Sequence, residues 1–424
     1  MDIGGAGMGR ESYRPDPRRL TVTSRFRRGL KVKILHTADW HLGRSLGQHD
    51  LLPLQAAAIR EIIKIAGHEK PDAIVIAGDL YDRSVPSEDA MAAFEEAIVG
   101  LRQVAPVLAI AGNHDGAGRV GHFAGMLGSA GIHFSSRDFG SIRFVSLRDQ
   151  HGEVRFHLMP FAMPAEVRQA IRDHIPDRDT TEMASHHGAT AARLATIDRS
   201  SGVRHVLVGH LFTQSDHGAE ESESERDISV GGSSVVSPSL FQGFHYVALG
   251  HLHKPHDVVP GRIRYAGSVG RYSFSEETHE KSVSLVELDA AGATHVREIS
   301  IPQARGMRTI EGDFHDVLRD AADDYDGRSA FIRIRLTDPV PQYEAFRRLS
   351  HHYPNLVEVS YLRNGVAAGN SPAPDWPERR DPMAMVRAYC EDRMGDQHLS
   401  EDAMALAGKL MEEARDARAE EAVR

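Results

Sequence analysis

The chain has 424 residues, 60 acidic against 50 basic, for a formal net charge of −10. At roughly 100–200 residues per domain this length suggests two or three domains. The acidic balance excludes a protein that coats nucleic acid by bulk positive charge, but not an enzyme that acts on it. The chain carries 25 histidines against a single cysteine, Cys390. An internal disulfide and a Cys-rich zinc site are thereby excluded, and a reducing cytoplasm fits. Histidine is the commonest metal ligand. No run of about 18 apolar residues occurs, so no membrane span is expected.

In chain order, residues 1–30 come first, with seven arginines against three acids. They lack the apolar stretch of a secretory signal and are expected to be a disordered extension. From Lys31 one pattern then recurs: an apolar, β-branched run ends in a residue able to hold a metal. The runs are Lys31–Asp39 continuing to His41, Ala73–Asp79, Pro106–Asp115, His205–His210 and Tyr246–His253. Short continuous apolar runs read as strands buried on both faces. Between them, Gln55–Ala66 and Glu88–Leu101 carry helical periodicity, so the fold class is α/β. Ligands of such sheets gather beyond the carboxyl ends of the strands, which places all five polar endings on one rim. Gly78, Gly112, Gly209 and Gly250 each precede the polar residue and allow close backbone approach.

The candidate ligands are Asp39, His41, Asp79, Asn113, His210, His251 and His253. Carboxylate, amide oxygen and imidazole without thiolate suit Mn²⁺, Fe²⁺ or Zn²⁺ better than Ca²⁺. The set is too large for one tetrahedral ion and suits two divalent metal ions. Such a pair stabilises the attacking and leaving oxygens of a phosphoryl displacement. His114 is left over as a catalytic residue, able to protonate the leaving oxygen. Asp115, also assigned to the catalytic set, is placed to orient that histidine or another group beside the metals.

These residues fall into D-x-H at Asp39–His41, G-D at Gly78–Asp79, G-N-H-D at Gly112–Asp115, G-H at Gly209–His210 and G-H-x-H at Gly250–His253. Their order and spacing resemble the calcineurin-like metallophosphoesterase signature. The resemblance implies an αββα sandwich of two central sheets flanked by helices, with Asp79 bridging the metals. It implies that Asp39, His41 and His253 complete one site, and Asn113, His210 and His251 the other.

The flanking segments 36–46, 77–90, 226–232, 246–256 and 262–283 are similar to the SbcD family of DNA-repair exonuclease subunits. Over about residues 31–300 that resemblance implies a Mn²⁺-dependent DNA nuclease with 3′→5′ exonuclease and single-strand or hairpin endonuclease activity. It further implies an SbcC-type coiled-coil ATPase partner and a homodimer within a heterotetramer, in a cytoplasmic, nucleoid-associated setting. The alternatives are a phosphodiesterase or phosphatase with a non-DNA substrate, and a metal-poor scaffold that only regulates the ATPase. Two departures stand out. Val269, Gly270 and Arg271 follow Ser268 where many family members carry prolines, and Glu220–Asp227 sets five acids against one arginine, which reads as a solvated, mobile loop.

Downstream, residues 301–363 alternate strand and helix: Arg308–Glu311, Asp313–Asp323, Ala330–Thr337, Gln342–Tyr353 and Leu356–Leu362. The SbcD resemblance implies that this small α/β unit is a capping domain. A proline- and glycine-rich linker, 364–382, follows. Residues 383–424 read as two amphipathic helices, with Met383, Val386, Tyr389, Cys390 and Met394 on one stripe. By family resemblance this segment is a hook for the ATPase coiled coil, helix in groove.

Overall fold

The chain is described by a computed structural model that covers residues 19–25, 31–122, 124–199, 202–214, 221–225, 228, 234–362, 405, 406, 408 and 409. The apolar runs become strands that stop short of their polar endings or just reach them: Val32–Thr37, Ala73–Ile76, Val107–Ile110, Arg204–His210 and Tyr246–Gly250. The first three lie side by side and parallel, with Ile132–Ser135 beyond them. Ser282–Leu288 and Thr294–Ser300 extend this six-stranded sheet antiparallel on the other side of Val32–Thr37.

The second, seven-stranded sheet has Gly152–Met159, Arg204–His210, Tyr246–Gly250 and Ile263–Tyr265 parallel at its centre. Arg143–Asp149 and His256–Val259 pair antiparallel at its two sides.

Apolar residues point both ways from each sheet, and that makes four layers. Ile34, Val75, Ile110, Phe156, Val206 and Ala248 interlock between the sheets. Leu35, Ile74 and Ile76 face the other way, onto Ile59 and Ile62 of helix Leu52–Glu69 and Ile98 and Leu101 of helix Glu88–Arg102. Ser87 caps the second helix by accepting the Ala90 N–H, and Glu88 and Asp89 complement the helix dipole in its first turn. The outer face of the second sheet is covered by Phe241, Phe244 and Leu194. The arrangement is the αββα sandwich. His36 joins its inner layers: the Tyr246 hydroxyl meets Nδ1 at 2.9 Å and Nε2 meets the Leu249 carbonyl at 3.1 Å.

Residues 307–361 carry a separate three-stranded parallel sheet with Phe331–Leu336 central, between Met307–Gly312 and Leu356–Tyr361. Phe314, Ile332, Ile334, Leu336 and Leu349 form its own core. The expected helix at Asp313–Asp323 is shorter, Phe314–Asp320. A second turn, Tyr325–Ser329, follows it because Asp324 accepts the Gly327 N–H as a new cap. The expected helix at Gln342–Tyr353 is confined to Ala345–Ser350. Met307 and Phe331 of this unit join one apolar cluster with Leu46, Leu51, Tyr272 and Phe274.

Of residues 1–30, expected to be a disordered extension, only 19–25 are described, and these need a correction. Arg19–Arg25 is a strand, parallel to Arg143–Asp149 at the edge of the seven-stranded sheet. The alternating segment RLTVTSR has β propensity, and the edge offers unpaired backbone groups. The linker 364–382 lies outside the described residues, as does all of 383–424 except four helical positions. The described helices include none long and apolar enough to cross a membrane.

Candidate metal centre

The parallel strands of both sheets end on one rim, and the chain turns there through unusual backbone. Among the described residues, six non-glycines have positive φ, and four of them are candidate ligands: Asp39 (51°), His41 (46°), Asp79 (49°) and His251 (111°). Such strain gathers where surrounding contacts over-determine a functional geometry. The two loops after Val32–Thr37 and Ala73–Ile76 hold each other by backbone bonds, Asp39 N–H to Gly78 O at 3.1 Å and His41 N–H to Asp79 O at 2.9 Å. Gly78 has φ +93°, and a Cβ there would overlap the His210 ring.

All seven candidate ligands are brought together. Asp79 is central, with Oδ2 lying 3.5 Å from His41 Nε2 and 3.4 Å from His210 Nε2. On one side, His41 Nε2 and His253 Nε2 converge at 3.1 Å. On the other, His210 Nε2 stands 2.8 Å from Asn113 Oδ1, and the His251 ring packs edge-on against His210. Asp39 accepts the His251 N–H at 3.0 Å, and its carboxylate forms a cluster of close ligand atoms with His41 and Asp79. His210 Nδ1–H donates to the Ala77 carbonyl at 2.9 Å, so its Nε2 is the nitrogen turned to the centre.

The residues fit divalent cations. Six of the seven, all but Asn113, are buried, and His41 Nδ1 has no hydrogen-bond partner among the described residues. Charge in the metal-free protein tells the same story. Burial would lift the Asp79 carboxyl, but His210 holds it well below the usual range. Burial opposes charge on His210, yet Asp79 raises it to about 9. A proton there stands where a cation would. Burial, with His210 beside it, pushes His251 down to about 3, and burial holds His41 well below the ordinary range, so both stay neutral and available as ligands.

His114 sits at the mouth. Its N–H donates to Asp79 Oδ1 at 2.9 Å, and its Nδ1–H donates to the Asp82 carbonyl at 2.8 Å. Its ring lies 4.6 Å from that of His41.

Of the two roles expected of Asp115, orienting His114 or another group beside the centre, its bonds take the second. Its carboxylate accepts the N–H groups of Gly112 (2.8 Å), Tyr81 (3.0 Å) and Leu80 (3.1 Å), clamping the G-N-H-D loop to the loop after Asp79. Burial, with Asp79 nearby, lifts its carboxyl to about 6. Facing three amides, its carboxylate clamps the two loops together.

The acidic segment Glu220–Asp227 is also corrected for the part described. Ser222 and Ser224 are buried. Ser224 Oγ lies 2.7 Å from His253 Nδ1, and Glu225 Oε1 accepts the His253 N–H at 2.6 Å. Glu225 is thus spent on a backbone amide at the centre, and burial raises its carboxyl to about 7.

Residues missed from the sequence are Asp82, Glu276 and Lys281. Asp82 pairs with Arg44 at 3.0 Å and its Oδ1 lies 3.8 Å from His41 Nδ1. The sequence signal for Asp82 is its place three residues after Asp79. Glu276 Oε1 lies 3.1 Å from His253 Nδ1, and its Oε2 accepts from Lys281 Nζ at 2.5 Å. Burial opposes the charge on Glu276, but His253 and Lys281 hold it well below the usual range.

Residues 32–214 match the calcineurin-like phosphoesterase family, and residues 303–393 match a family described as the type 5 capsule protein repressor C-terminal domain. The chain is 29% identical over 372 residues to the SbcD subunit of the SbcCD nuclease of Staphylococcus epidermidis, covering 87% of this chain and 95% of that relative. Two solved structures are more distantly similar. A protein of Thermus thermophilus is 14% identical, over 63% of this chain and 99% of its own, with a TM-score of 0.34. A dimetal phosphatase of Danio rerio is 12% identical, over 64% and 99%, with a TM-score of 0.33.

Proposed function

We propose, from the premise that the chain belongs to the calcineurin-like phosphoesterases and to their SbcD-type nuclease branch, that it is a dinuclear, metal-dependent subunit hydrolysing DNA phosphodiesters. The observation that carries this is Asp79 Oδ2, set almost equally from His41 and His210. Asp39, His41 and His253 with Asp79 would hold one cation, and Asn113, His210 and His251 with Asp79 the other, Mn²⁺ being favoured. Bound there, the pair supplies Lewis acidity and an activated water for in-line displacement.

The chain's own residues do the rest. The Asp82 carbonyl holds the proton on His114 Nδ1, so that Nε2 would be the atom through which the ring passes a proton to the leaving oxygen. The Asp115 clamp keeps Asn113 and His114 at the height of Asp79. The cap unit at 307–361 borders the same rim through Tyr272 and Phe274 and would steer DNA toward it. Residues 383–424 would grip an SbcC-type coiled-coil ATPase, with two copies of each subunit assembling at the nucleoid.

The test is cleavage of linear, single-stranded and hairpin DNA by the full chain with Mn²⁺, with and without the ATPase subunit. Metal-dependent cleavage is expected. Hydrolysis of a phosphoserine peptide with none of DNA would transfer the same chemistry to a phosphatase, and absence of bound metal after Mn²⁺ loading would leave only a scaffold. Pull-down of the ATPase by the chain with and without residues 383–424 tests the hook, and equal recovery would refute it.

A further inference from the structure

The segment Tyr272–Glu277 has two faces. Toward the metal centre, the Tyr272 ring lies edge-on to both His41 and His253, at 5.5 and 5.6 Å between centroids. Glu276 has no exposed surface and aims Oε1 at His253 Nδ1. Toward the cap unit, Phe274 shares an apolar cluster with Met307 and Phe331 and lies 4.8 Å beneath the Arg333 guanidinium. Glu277 Oε2 accepts from Thr309 Oγ1 of the cap at 2.7 Å.

We propose that Tyr272–Glu277 is a mount through which the cap unit sets the His253 imidazole, with Glu276 as the positioning residue. This rests on the dinuclear reading above and adds to it a link between cap seating and the occupancy of one cation.

The chemistry follows from donor and acceptor roles. A carboxylate only accepts, so Glu276 fixes the proton on His253 Nδ1 and leaves Nε2 with its lone pair turned to His41 Nε2. Ser224 assists, since its hydroxyl meets the same Nδ1 and also bonds Glu276 Oε1. A lone carboxylate at this depth would be costly. Lys281 compensates it, and the same ammonium donates to Ser268 Oγ at 2.8 Å and to the His253 carbonyl at 3.0 Å. His253 is thus gripped at its ring, its N–H and its carbonyl. The grip is seated on the cap because Phe274 stands between Tyr272 and Glu276 in the chain. A cap lifted off Phe274 frees both residues that touch the histidine. By linkage, a cation bound at His41 and His253 favours the seated cap to the same extent.

The experiment is calorimetric titration of Mn²⁺ into the metal-free full chain, with unfolding midpoints recorded alongside. Glu276→Gln is compared with Glu276→Gln/Lys281→Met, which removes the ammonium the single change would strand, and with Phe274→Ala. Glu311→Gln, on a cap carboxylate that pairs with Arg335 away from the mount, is the control.

In the folded double variant, one of two ions is expected to bind about 10–100-fold more weakly, with the other unchanged. DNA cleavage should recover as Mn²⁺ is raised, so that the Mn²⁺ requirement moves and the saturated rate does not. Phe274→Ala should weaken the same ion, and the control neither. Wild-type affinities for both ions in the folded double variant, or in Phe274→Ala, would overturn the proposal. A wild-type chain that binds no Mn²⁺ would overturn the dinuclear reading itself, whereas two ions bound and DNA cut with unchanged variants would sink this inference alone.

Discussion

Gly112 lies so close to Asp79 that a Cβ at this position would run into its carboxylate oxygen and its backbone nitrogen. The bridge candidate is thereby locked between the Gly112 backbone and the His114 N–H. Gly112→Ala is expected to displace Asp79 and lose at least one of two cations, with cleavage down by about 10²-fold or more, since a displacement of about 1 Å suffices for that. Metal content per chain and cleavage rate check it. Two ions retained with full activity would refute the close-approach argument.

His114→Ala removes the ring but keeps the backbone N–H that holds Asp79. Cleavage is therefore expected to fall by about 10²–10⁴-fold while Mn²⁺ stoichiometry stays that of the wild type. Unchanged cleavage would remove His114 from proton transfer. Loss of metal would reassign it to the binding shell.

The His210 proton gives a pH signature. In the metal-free protein its pKa is raised to about 9 by Asp79 against the opposition of burial. The stability it contributes is thus full below the unfolded value of about 6.5 and is lost as pH rises through about 9. Mn²⁺ must displace that proton. Apparent affinity should climb by up to about tenfold per pH unit toward pH 9. Calorimetry in buffers of different ionisation enthalpy should find at least one proton released near pH 7.5 and progressively less above 9. Proton release that does not vary over this range would contradict the assignment.

Asp115→Ala strands three backbone N–H donors in the two loops that carry Asp79 and Asn113. We expect a loss of about 2 kcal/mol in denaturant unfolding together with weaker metal binding. Asp115→Asn, which keeps an acceptor oxygen, should recover part of both. An Asp115→Ala chain of wild-type stability would refute the clamp.

His36→Leu tests a buried bond between the sheets. The Tyr246 hydroxyl and Leu249 carbonyl lose their partner, at a cost of about 1–3 kcal/mol, with Mn²⁺ stoichiometry unchanged. A chain that keeps its stability but loses metal would place His36 in the site rather than the core.

The strands and the seven candidate ligands are legible in the linear sequence, because each buried parallel strand is a short apolar run and each ligand follows it within a few residues. Backbone direction alone carries those endings to one rim. Asp79 can be named there, though not its near-equal reach to His41 and His210, which depends on how the two sheets are packed. Asp115 stays open between His114 and another group in the sequence, and only the folded loop, with three amides facing its carboxylate, decides between them.

Glu276 and Lys281 carry no local signal. They come from a loop more than twenty residues beyond His253, and only the packing of that loop over the rim makes a buried carboxylate tolerable there. The acidic stretch before Asp227 looks like a solvated loop because composition records charge and not the amides that wait for it. Sequence by itself determined the α/β class and the inventory of candidate ligands, since both are written in local periodicity and spacing. Tertiary structure alone decided which carboxylates clamp, which position and which face the metals, because those roles are set by partners far away in the chain.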